Sequence, residues 1–187
     1  MKQKVVRFVG TALLAVFVTS PVYAQQTSCA TADLKDAQGN TVGNAVFTQT
    51  PDGVRIQTQI DNFQSAVTGG ERGQHGFHIH EVGECEPPDF QSAGGHFNPT
   101  NVGHGLLDPD GPHAGDLVNL WIESDGTGDY DVTTDLIALD NTERGIFDQD
   151  GSALIIHQDG DDYITDPAGN SGSRVACGVI VPQSAQQ

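Results

Sequence analysis

The 187-residue chain is poor in positive charge. Eight Lys and Arg stand against 25 Asp and Glu, a formal net charge of −17 with histidine neutral. A surface this acidic repels phosphate backbones and anionic headgroups, which excludes nucleic acid and anionic lipid as partners. No run of like charge is long enough to form a disordered acidic tail, and solubility is the bland consequence of the imbalance. Nothing beyond the first two dozen residues has the apolar period of a helix. Internal repeats, low-complexity segments and interdomain linkers are also missing. Cysteine is scarce, limited to Cys29, Cys85 and Cys177. The H-E-x-x-H pattern, whose Glu serves zinc hydrolases as a general base, does not occur.

Long apolar runs are absent with one exception. Lys2, Lys4 and Arg7 precede an apolar stretch of eleven residues, 8–18, followed by V-Y-A at 22–24. The stretch is too short to span a bilayer comfortably. It reads as an export leader over 1–24 with Gln25 as the first mature residue; an N-terminal membrane anchor is the disfavoured alternative. The expectation is a soluble periplasmic or secreted protein with no membrane span after cleavage. Residues 25–187, 163 in all, then form one domain large enough to bury a core. Without the leader's three basic residues, five Lys and Arg face 25 acidic residues, a charge of −20. An oxidising compartment permits a disulfide. Cys85 and Cys177 are the better pair because each sits beside a candidate ligand region, with thiolate metal ligation as the alternative. Cys29 is left over, either free or paired between chains.

Stretches of period two, bounded by turn residues, dominate the rest. Strands are expected at 32–35, 42–49, 54–60, 75–82, 117–123, 130–135, 153–157 and 174–181. Turns fall at 37–40, 51–53, 69–73 and 125–128. Between 83 and 116 the chain is rich in Gly, Pro and Asp and has no period. A loop of that length inside a domain is commonly functional, and metal binding would tie it down. About eight short strands indicate an antiparallel sandwich or barrel.

What the chain does have is a concentration of histidine. Six of its seven histidines lie between His75 and His113: His75, His78, His80, His96, His104 and His113. Asp116 follows, and His157 stands alone. Neutral imidazole is the commonest metal ligand. In a strand, His78 and His80 share one face while Phe77 and Ile79 take the other. Taken alone, an H-x-H pair is better explained by an exposed edge, but the later cluster reverses this in favour of a metal wall. With His75 set aside, six histidines and Asp116 offer seven groups. One tetrahedral site needs four ligands and two sites need eight, so one imidazole would serve both metals. Spacing leaves open which histidine bridges and which metals bind. An all-nitrogen set suits copper, zinc or nickel, and three histidines with an aspartate suit zinc.

Four ordered strings carry a resemblance. H-G-F-H-I-H-E-V-G at 75–83, S-A-G-G-H-F-N-P at 92–99, G-P-H-A-G-D-L at 111–117 and G-N-S-G-S-R-V-A-C-G-V-I at 169–180 resemble the signatures of copper/zinc superoxide dismutases. The likeness spans essentially the whole chain after the leader. It implies an eight-stranded antiparallel Greek-key barrel or sandwich, immunoglobulin-like, with long metal-binding loops. It implies copper on His78, His80, His96 and His157, and zinc on His96, His104, His113 and Asp116. His96 would be the shared ring. Cys85 and Cys177 match the family's disulfide, and Arg174 matches its anion-guiding arginine. Asp161 matches a carboxylate linking ligands of both metals, and His75 matches a non-ligand histidine with a structural hydrogen bond. The implied activity is conversion of two superoxide anions to oxygen and hydrogen peroxide by Cu(II)/Cu(I) cycling, with zinc tuning and ordering the site. His96 would take and return a proton. A homodimer is a further expectation. The segment between His157 and Arg174 is shorter than in eukaryotic members and contains no lysine, so anion guidance rests on Arg174 or comes from elsewhere. The rival expectation is a periplasmic copper/zinc buffer or carrier on the same scaffold.

Overall fold

In the computed structural model, residues 29–63, 72–140 and 142–183 are described. The leader expected over 1–24 lies outside them, as does most of the 69–73 turn. The elements are β1 (Cys29–Asp36), β2 (Thr41–Thr50), β3 (Gly53–Ile60), β4 (Gly73–His75), β5 (Phe77–His80), β6 (Leu120–Ile122), β7 (Gly128–Thr134), β8 (Ala153–His157), β9 (Arg174–Val179) and β10 (Val181–Gln183). An antiparallel eight-stranded sheet runs β5-β8-β9-β1-β2-β3-β7, with β10 paired to the start of β1. β4 and β6 form a second, two-stranded sheet. In the order β9-β1-β2-β3, three hairpin-connected strands lie beside one that returns after a long connection, which is the Greek-key arrangement. The sheet curls around its own apolar face. All-β class and topology therefore agree with the sequence.

Alternation explains the curl. In β1, Ala30, Ala32 and Leu34 face inward; in β3, Val54, Ile56 and Ile60 do; their polar neighbours face out. Phe47, Phe63 and Phe77 are fully buried and fill the interior. β5 and β8 differ, because every residue in both is buried. Their inner faces supply Phe77, Ile79, Leu154 and Ile156 to the main core, and their outer faces are covered by loops. A second small core of Phe90, Ala93, Ala153, Ile155 and Cys177 fastens one loop to the outside of the wall.

The structure corrects three of the expected strands. The strand expected at 75–82 is broken at Gly76, whose N–H donates to the Asp159 carbonyl and whose own carbonyl accepts from His157 N, each at 2.8 Å. A Cβ there would sit 2.7 Å from Cβ of Ser171, so the close approach of that loop requires glycine. The strand at 117–123 shortens to β6, and the one at 174–181 is divided between β9 and β10. The 83–116 stretch is irregular but not structureless. It contains a 3-10 turn, Gln91–Ala93, and it pairs with the free edge of β5.

Cys85 and Cys177 form the disulfide, with Cα atoms 5.7 Å apart, and Cys29 is the free thiol. The thiolate-ligand alternative is thereby removed. The bridge ties the 83–116 loop to β9 across 92 residues of sequence. Cys85→Ser should therefore lower unfolding free energy by about 4–5 kcal/mol, as loop closure of that length predicts, measured by urea denaturation of the metal-free protein. A loss under about 1 kcal/mol contradicts it.

Candidate metal centre

The site is built on the outer face of the β5–β8 wall. His78 and His80 project from β5, and His157 ends β8. The free edge of β5 is closed by the loop: Ile79 N donates to Gly115 O and Phe97 N donates to Ile79 O, both at 2.9 Å. This pairing sets Asp116 opposite His78 and His96 opposite His80. Gly115 makes it possible, because a Cβ there would lie 2.1 Å from the Ile79 carbonyl oxygen. All six candidate ligand histidines and Asp116 are buried.

Two donor sets result. In the first, His78, His80, His96 and His157 bring one ring nitrogen each within 4.8 Å of the others. The opposite nitrogen of each ring is already committed. His78 Nε2–H donates to Asp161 Oδ2 at 2.8 Å, His80 Nδ1–H to Gly94 O at 3.0 Å, His96 Nδ1 contacts Asp116 Oδ1 at 2.8 Å, and His157 Nδ1–H donates to Gly172 O at 3.2 Å. His78 Nδ1 and the Nε2 atoms of His80, His96 and His157 are left buried without a partner. Such groups are costly to bury unless something binds them. Their lone pairs converge, which suits a metal that takes nitrogen ligands. In the second set, Nδ1 of His96, His104 and His113 lies 2.8, 3.1 and 3.3 Å from Asp116 Oδ1, and His96 and His113 are 3.4 Å apart. Bonds of zinc length in a tetrahedron give edges of about 3.3 Å, so this set has the size of a zinc site. His96 belongs to both sets, through different nitrogens.

Comparison with known proteins agrees with this geometry. A family model described as copper/zinc superoxide dismutase matches residues 41–180. The chain belongs to the copper/zinc superoxide dismutase family. Superoxide dismutase [Cu-Zn] 1 of Aquifex aeolicus is 43% identical over 150 residues, covering 80% of this chain and 85% of that protein. The Caulobacter vibrioides superoxide dismutase [Cu-Zn] is 38% identical, over 81% of this chain and 84% of its own. Among solved structures, a double mutant of a superoxide dismutase-like protein from Bacillus subtilis superposes with a TM-score of 0.74 at 42% identity, covering 81% of this chain and 96% of that one. The family is one of enzymes that use copper and zinc, and the two donor sets fit those ions.

Burial and charge prepare the superoxide dismutase rings for ligation. Burial holds His78 and His80 below their ordinary pKa. Burial, with positive charge nearby, lowers His96 to about 4 and His157 to about 3. These four rings are neutral at physiological pH, with a lone pair on each unpartnered nitrogen. His104 differs. Burial opposes its charge, but hydrogen bonds to Asp116 and Asp161 outweigh it and raise the ring to about 9. Asp116 and Asp161 are held below the ordinary carboxylate range, since the bonds they accept outweigh their burial.

Asp161 lies between the two donor sets. Its Oδ2 holds His78 Nε2 and its Oδ1 lies 3.1 Å from His104 Nε2, so one carboxylate joins the two sets. His75 Nδ1–H donates to the His157 carbonyl at 2.9 Å, in keeping with a structural role. Arg174, half-buried, donates to Phe90 O at 2.8 Å and Gly94 O at 2.6 Å, and its charge acts on His80 and His157. Sequence reasoning overlooked Asn119, whose side chain bonds both the N–H and the C=O of Asp161 at 2.8 and 2.9 Å. No linear pattern marks it, since it lies 42 residues away. Gly169 was also overlooked as a contact: a Cβ there would sit 1.7 Å from Asp161 Oδ1 and 2.8 Å from His104 Nε2. Gly169→Ala should displace Asp161 and lower occupancy of both sets, read as metal content after dialysis against a weak chelator. Full retention of both ions would refute the role of this close contact.

Proposed function

We propose that the chain dismutates superoxide, converting two superoxide anions and two protons to oxygen and hydrogen peroxide. In this reading copper is held by His78, His80, His96 and His157, and zinc by His96, His104, His113 and Asp116. The observation that carries it is the convergence of four buried, partnerless ring nitrogens, one belonging to a ring whose other nitrogen faces a tetrahedral donor set. Copper, when bound, would supply one-electron exchange between Cu(II) and Cu(I), and His96 Nδ1, His104, His113 and Asp116 would hold zinc. With zinc on Nδ1, Nε2 would be the one position left on His96 for a proton. It is thus the group suited to protonating the reduced oxygen species. Asp161, held by Asn119, keeps His78 in the tautomer that presents Nδ1. Arg174 attracts the anionic substrate into a protein that otherwise repels it.

The leader and the disulfide support export to the periplasm or beyond, where thiols oxidise. No helix among the described residues is long and apolar enough to cross a membrane. A second copy of the chain, in a homodimer, is part of the reading on family behaviour alone. A metal buffer or carrier is the second reading. A Bacillus subtilis relative, 49% identical over 113 residues, is named only superoxide dismutase-like, which leaves room for a role other than the enzyme's. The clock protein EA4 also shares the fold, with a TM-score of 0.67 at 35% identity. The presence of Arg174, which a metal store has no need to aim, favours the enzyme.

The metal-loaded protein should consume superoxide, and Arg174→Ala should slow it by roughly tenfold at low salt. The wild-type rate should also fall more steeply with ionic strength; equal slopes, or no activity with both metals bound, would overturn the proposal. Zinc uptake tests the site. His104 carries a proton at neutral pH that zinc must displace from Nδ1, so apparent affinity should rise about tenfold per pH unit from 7 toward 9. In the zinc-free protein the copper histidines are already neutral there, so copper affinity measured without zinc should be flat over the same range. Calorimetry in buffers of different ionisation enthalpy reads both.

A further inference from the structure

The peptide joining Gly94 and Gly95 is held on both sides. Its carbonyl accepts from Arg174 Nη2 at 2.6 Å and from His80 Nδ1 at 3.0 Å. Its N–H donates to Glu81 Oε1 at 2.8 Å. A peptide unit is planar, so the carbonyl cannot turn without pulling the N–H off Glu81. A bond from an N–H to a carboxylate is charge-assisted, and it polarises the carbonyl on the far side of the same unit. The packing is equally specific. Gly94 has φ 72 and ψ −155, and the space a Cβ would take lies 2.7 Å from Glu81 Cγ. Glu81 N also donates to Gly95 O at 3.0 Å, so Glu81 brackets Gly95 with backbone and side chain. Glu81 is exposed, and its charge, with that of Asp89, acts on Arg174.

We propose that Glu81 is a positioning residue for anion capture: through the Gly94–Gly95 peptide it aims Arg174 and His80, while its charge limits the pull of Arg174 on anions. The inference rests on Arg174 being the anion guide. Its two parts separate by substitution. Glu81→Gln keeps an oxygen for Gly95 N–H and removes the charge. Glu81→Ala removes both. Glu81→Asp keeps the charge one methylene short of the N–H.

The test is azide affinity of the copper- and zinc-loaded protein, titrated by Cu(II) absorbance, with Arg174→Ala alongside. Glu81→Gln should bind azide more tightly than wild type. Glu81→Ala, of equal charge, should bind at least about fivefold more weakly than Glu81→Gln, the loss expected for one net hydrogen bond. Glu81→Asp should bind more weakly than wild type, and it carries the test if Glu81→Ala does not fold. In the metal-free protein the Gly95 amide should exchange faster in Glu81→Ala than in Glu81→Gln. Equal azide affinity for the Ala and Gln variants, or an Asp variant equal to wild type, overturns the role of Glu81 if Arg174→Ala still weakens binding. Arg174→Ala binding azide as wild type does would overturn the anion-guide reading and this inference together.

Discussion

The free edge of β5 is the constraint on which the site depends. A strand edge presents unpaired N–H and C=O groups that must be satisfied once buried. Here a loop satisfies them, through Gly115 and Phe97 on either side of Ile79. That pairing places Asp116 and His96 against His78 and His80 without a further strand. The disulfide and the small outer core of Phe90, Ala93 and Ile155 then hold the rest of the loop to β8 and β9. Metal ligation is therefore the last layer of an arrangement already specified by backbone pairing and apolar packing.

The same organisation resolves an electrostatic conflict. A chain with 25 acidic residues and eight basic ones must accept a small anion. Of the described cations, Arg55 is paired with Asp131 and Arg72 sits by Glu123 and over the Trp121 ring. Arg174 instead spends its donors on two backbone carbonyls, which carry no net charge to cancel its own. Neutral acceptors fix its direction, and the charges of Asp89 and Glu81 temper its field. Screening confines that field to about 8 Å at physiological ionic strength, so its effect is local to the donor set that contains His80 and His157.

Much of the fold and of the candidate site was legible in the sequence. The alternation in 54–60 and the glycine-rich turns point to antiparallel strands, because one face is buried and the other wet. The H-x-H pair could be placed on one face by strand geometry alone, and ligand counting required a shared ring. What lay beyond reach depended on contacts between distant segments. His96 as the shared ring came from family motifs, and it is visible in space only because its two nitrogens face different sets. Gly76 looked like strand interior, yet the Ser171 loop crosses there and breaks the pairing. Asn119 and Glu81 carry no motif; the first acts on Asp161 across the fold, and the second through a backbone peptide rather than a side chain.

β5 is a wall with two covered faces. Phe77 and Ile79 answer to the barrel interior, while His78 and His80 answer to the loops. Changes on the outer face leave the interior packing untouched, so chemistry and architecture can vary independently along four consecutive residues. A lineage can lose a ligand and keep its shape. A scaffold of this kind allows relatives with the same barrel to work as enzymes or in other roles.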